Sequence, residues 1–105
     1  MSDTTQPVYG AAAEELRKDL TPTADVRTLL VTIADKLTGH DPAGPMLELT
    51  RLALAIVFTQ RHHRDMDQAA ATERQLLAAA PRIERDITRG EYALILRKIA
   101  AGGEV

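Results

Sequence analysis

The chain contains no cysteine, which excludes disulfides, thiolate metal ligands and a cysteine nucleophile. It has no tryptophan, and its only aromatic residues are Tyr9, Phe58 and Tyr92. A core must therefore be built from Leu, Ile, Val and Ala. Ser2 is the one serine, so there is no G-x-S-x-G nucleophile turn, and no Gly-rich loop leads into Lys-Ser/Thr to cradle a phosphate. Adjacent carboxylates such as Glu14 and Glu15 belong to a polar helix face. These absences point away from catalysis, and the expectation is a non-enzymatic protein with no catalytic residue, cofactor or metal. Long hydrophobic runs are missing too. The most apolar stretch, Met46 to Phe58, is 13 residues long and carries Glu48 and Arg51, whereas a membrane span needs about 20 residues. Residues Met1 to Gln6 have neither the basic region nor the apolar core of a secretory signal, so a cytoplasmic location is expected.

What is present fits one small folded domain. The chain has 105 residues, 45% hydrophobic and 27% charged, which matches ordinary globular composition. A domain of this size buries only about 60–70% of its unfolded surface, so association with another chain would add to a slim margin. The net charge of −2 argues against a strong non-specific hold on nucleic acid.

Along the chain, residues 1–7 read as a disordered leader, residues 8–101 as a single helical domain and residues 102–105 as a disordered tail. Val8, Ala12, Leu16 and Leu20 recur at four-residue spacing, the stripe of a short amphipathic helix. Thr21-Pro22 reads as an N-cap followed by proline in the first turn. A second helix then places Val26, Leu29, Leu30, Ile33 and Leu37 on one face, with Gly39 expected as its left-handed C-cap. His40 to Pro45, with two prolines and a glycine, is a loop.

Between Pro45 and Pro81 there is neither Gly nor Pro, and this stretch is expected to be the spine of the fold. Met46, Leu49, Leu52, Ala53, Ile56 and Val57 mark its main face, widened by Leu54 and Phe58, so the apolar run is expected to be deeply buried. As one straight helix the stretch would be about 54 Å long, against a radius of gyration near 13 Å for a compact domain of this size. One long helix is the favoured reading, with a kink or break near 65–67 as the alternative, where Asp67 would cap a new helix. Ile83 and Ile87 suggest a short helix ended by Gly90. Tyr92, Ile95, Leu96 and Ile99 form the face of a last helix, stopped by Gly102-Gly103. With no strand-type alternation, the expected fold is an all-α bundle of four to five helices with a long central helix over 45–80.

Three regions offer candidate sites. Steps of three and four along the spine give a heptad-like seam through Leu49, Leu52, Ile56, His63, Met66, Ala70 and Leu77. That pattern suits a homodimer interface or another protein contact. Arg82, Arg85, Arg89, Arg97 and Lys98 lie on two short predicted helices joined at a glycine, superficially a helix-turn-helix that could touch phosphates. Against this, the residues that would read bases, Glu91 to Leu94, include no Arg, Asn or Gln. Finally, His62 with Asp65 and His63 with Asp67 are spaced to share a helix face, as metal ligands or as a pH-sensitive contact. The H-E-x-x-H motif is absent, and local hydrogen bonding is the expectation there. Together these features favour a homodimeric interaction or regulatory module, with a dimeric DNA-binding regulator as the alternative.

Overall fold

A computed structural model describes residues 22–102. The proposed leader, the helix of Val8 to Leu20, the Thr21 cap and all but the first residue of the tail lie outside the described residues. Within them the chain forms four helices: α1 (Ala24–Gly39), α2 (Glu48–His62), α3 (Met66–Ala79) and α4 (Arg89–Ala100). No helix there is long and apolar enough to cross a membrane.

Helix α1 follows its sequence pattern closely. Val26, Leu29, Leu30, Ile33, Ala34 and Leu37 are all buried, the i, i+3, i+4, i+7 stripe of a helix packed on one side. Its cap is Thr23, whose hydroxyl accepts the Val26 N–H at 3.2 Å. The left-handed residue beyond its end is Asp41 (φ 54°), not Gly39, which lies in the last helical position. Aspartate tolerates that region because its short side chain can satisfy nearby backbone groups.

The predicted long helix is broken. His63 leaves helical geometry, and Asp65 caps α3 by accepting the Asp67 N–H at 2.9 Å. The cap is thus Asp65 rather than Asp67. Three residues, 63–65, turn the chain into an αα-hairpin. A continuous helix would carry Ala69, Thr72 and Leu76 away from the rest of the chain. The turn brings all three into burial on α3, with Arg51, Ala55 and Thr59 buried on α2.

The short helix expected around Ile83 and Ile87 does not form. Residues 81–88 are irregular, and this segment and the first turn of α4 pair with the loop after α1: Met46 N donates to Ile87 O (2.9 Å), Arg89 N to Gly44 O (2.9 Å) and Gly90 N to Pro42 O (2.8 Å). The first satisfies a carbonyl that a local helix would have used, and the other two satisfy first-turn N–H groups of α4 that have no partner within the helix. Gly90 then lies inside the first turn of α4, where an added Cβ would come within 3.3 Å of Pro42 O. Thr88 and Glu91 close a reciprocal capping box at its start. At the other end, Gly102 adopts φ 89°, as the stop signal implied.

Helix α4 packs chiefly on α1, burying Tyr92, Ala93 and Leu96. Tyr92 Oη donates to Pro81 O, and burial pushes the phenol up to about 12. A phenol raised in the folded state holds its contribution below pH 10 and loses it as pH rises toward 12. Wild-type stability should therefore drop by roughly 2–3 kcal/mol across that interval. Urea midpoints measured below and at the top of the interval test this, and the Tyr92→Phe variant should lose the dependence.

Candidate functional site

Two features stand out on the folded chain: the outer face of α2, and a polar cluster where the ends of α1 and α2 meet.

Helix α2 turns the predicted burial around. The face that packs inward is Arg51, Ala55 and Thr59, two small side chains and one charged one. Small residues let α2 approach α3 closely, since interaxial distance follows the side chains at the contact. Leu49, Ile56 and Val57 face outward, with relative exposures of 77%, 40% and 41%. Ala53 is exposed between them and Leu52 is half-buried at the margin. The expectation that the whole apolar run is deeply buried is therefore wrong. Met46, ahead of the helix, is buried in the core, and on α2 itself Leu54 and Phe58 are the large residues that pack against it; the Arg61 guanidinium lies 5.6 Å from the Phe58 ring centroid.

The seam read from sequence does not survive the fold-back as one surface. Leu49, Leu52 and Ile56 remain together on α2. His63 lies in the hairpin turn, Met66 and Ala70 are exposed on α3, and Leu77 packs against the core. A seam needs one continuous helix axis, and the turn at 63–65 removes it.

The basic residues are also dispersed. With no helix over 82–88, the two-helix geometry of a helix-turn-helix is not there. Arg82 and Arg85 are exposed on the irregular segment, beside an open groove lined by Met46, Leu47, Ile83 and Ile87. Arg89 Nη1 donates to His40 O (3.3 Å), and Arg97 Nη2 donates to Asp35 Oδ1 (2.8 Å) and Thr38 Oγ1 (3.2 Å). Lys98 is exposed in the last turn of α4.

What holds α2 in this orientation is a network that sequence reasoning missed. Arg51 donates through Nε to Ala80 O (3.0 Å), through Nη2 to Leu77 O (2.7 Å) and through Nη1 to Glu48 Oε2 (2.6 Å). It thereby caps the C-terminal carbonyls of α3 with a buried guanidinium. The other Glu48 oxygen accepts the Ile83 N–H at 2.8 Å. That backbone bond, reinforced by Arg51, holds the Glu48 carboxyl below its ordinary value. The only sequence signal was a Glu-x-x-Arg pair interrupting an apolar run.

The polar cluster sits at the opposite end of α2. His62 Nε2 lies 2.9 Å from Asp25 Oδ1 in the first turn of α1. His63 Nε2 lies 2.8 Å from Thr72 Oγ1 on α3. The two imidazoles meet edge to face, with centroids 4.8 Å apart. The pairing of His63 with Asp67 and of His62 with Asp65 presumed a continuous helix. With the helix ended at His62, the carboxylate beside the imidazoles is Asp25, 37 residues away in sequence. The hydrogen bond with His62 holds the Asp25 carboxyl below the usual carboxylate range.

Comparison of the chain with protein families, with curated proteins and with solved structures gives no match.

Proposed function

We propose that the chain is a non-enzymatic interaction module that pairs with a second copy of itself along the outer face of α2. The observation that carries this reading is the placement of Leu49, Ile56 and Val57, all at least 40% exposed, on one side of one helix around the small residue Ala53. An antiparallel pair centred on Ala53 sets Leu49 of one protomer against Val57 of its partner, and the two-fold relation repeats the contact. Covering these side chains removes apolar surface from water at about 25 cal/mol per Å². Self-association also supplements the limited burial available to so short a chain.

The test is solution molar mass by light scattering across a concentration series. A dimer is expected for the native chain. Because Ile56 is 40% exposed, Ile56→Asp should still fold, at a cost of about 1–2 kcal/mol, and should scatter as a monomer. A native chain that stays monomeric at every concentration, or an Ile56→Asp dimer, would sink the reading. Duplex DNA added at low salt forms a second arm. A mass shift that high salt dissolves and that Arg82→Ala with Arg85→Ala removes would transfer the function to the 81–88 segment.

A further inference from the structure

We infer that Asp25, His62 and His63 bind a divalent transition metal of the zinc class, which staples the start of α1 to the α2–α3 hairpin. Each of the three residues offers a ligand atom, and these atoms all lie within 4.8 Å of one another. They come from different parts of the fold, Asp25 from the first turn of α1 and the histidines from the last residue and C-cap of α2.

One pair already stands near the separation a shared ion needs, and the widest gap in the trio, up to 4.8 Å, closes by side-chain rotation when the ion binds. Tetrahedral zinc, with bonds near 2.0–2.1 Å, holds neighbouring ligand atoms about 3.3 Å apart. Asp25 Oδ1 and His62 Nε2 already stand 2.9 Å apart, so an ion can replace the shared proton with little movement. The Asp25 side chain is 56% exposed and free to turn towards the third ligand.

Two further features support a cation here. With His63 Nε2 engaged by Thr72 Oγ1, its Nδ1 is the nitrogen left to ligate. A ligating imidazole whose second nitrogen is hydrogen-bonded to protein is the usual arrangement at metal sites. The histidines also stand at the C-terminal end of α2, where the unpaired carbonyls carry partial negative charge. Two imidazoles and one carboxylate select the borderline transition metals over magnesium or calcium, which prefer all-oxygen shells. Water completes the coordination, since the site opens to solvent. This inference stands independently of the pairing through α2, whose residues it does not use.

The experiment is thermal unfolding and calorimetric titration of the untagged native chain with Zn2+, with Mg2+ as the control ion. One Zn2+ per chain and a rise in midpoint of roughly 5–10 °C at saturating ion are expected, with no response to Mg2+. Asp25→Asn, His62→Ala and His63→Ala should each cut Zn2+ affinity at least about tenfold. His40→Ala, outside the cluster, should leave it unchanged. Absence of a Zn2+-specific shift would overturn the inference. So would affinity that survives both histidine substitutions, or that is lost with His40 instead.

Discussion

Replacing Arg51 by Ala is expected to lower folding stability by about 2–4 kcal/mol, because two carbonyls at the end of α3 lose a charged donor. The guanidinium is 7% exposed and makes three hydrogen bonds to groups 3, 26 and 29 residues distant. Its loss strips Leu77 O and Ala80 O of their donor at the end of α3 and removes the ion pair with Glu48. For a domain whose total stability is of order 5–15 kcal/mol, this is a large share. Arg51→Lys should recover only part of it, because an ammonium cannot span three acceptors as a planar fork does. Glu48→Gln provides the complementary measurement. A carboxyl depressed in the folded state adds stability above its unfolded value, and that stability is lost as pH falls through the folded value. The native chain should therefore weaken as acid protonates Glu48, whose ordinary value is 4.5. The Gln variant should be weaker at neutral pH and flatter through that range. Urea midpoints followed by circular dichroism separate the two effects, and an Arg51→Ala variant as stable as native would remove the network from the account of the fold.

Leu30→Ala should cost about 2–5 kcal/mol, the usual range for a fully buried leucine cut back to a methyl group. Leu30 has 0% exposure and belongs to the cluster that joins α1 to Leu96 and Tyr92 of α4 and Leu76 of α3. The space left behind lies in the packed core, which can relax into it only in part. Leu49→Ala deletes the same atoms from a residue that is 77% exposed. It should leave the stability of the isolated chain within about 0.5 kcal/mol of native while weakening self-association. The contrast between two identical substitutions, measured by denaturation and by light scattering, separates core from contact surface.

The amino-acid sequence by itself determined the all-α class, the buried stripe of α1, the loop of residues 40–45 and the apolar face of α4. Each rests on local information: the spacing of apolar residues along one helix turn, or the fixed dihedral preferences of proline and glycine. On α1 the stripe has a clear phase, because Arg27, Asp35 and Lys36 mark the opposite side. On α2 there is no such phase. Leu52 to Phe58 is apolar all round, so periodicity could not say whether Leu49 and Ile56 or Ala55 and Thr59 face inward. Only the position of α3 decides that, and α3 lies where it does because Asp65 offers the chain a cap and Leu76 a buried seat. The Arg51 network and the Asp25–His62 contact were equally out of reach. Their partners are 26 to 37 residues apart, and such neighbours exist only once the hairpin has closed and α1 has docked. Tertiary structure therefore decided which apolar residues stay in water and which carboxylate meets the histidines, and both proposed functions rest on those two outcomes.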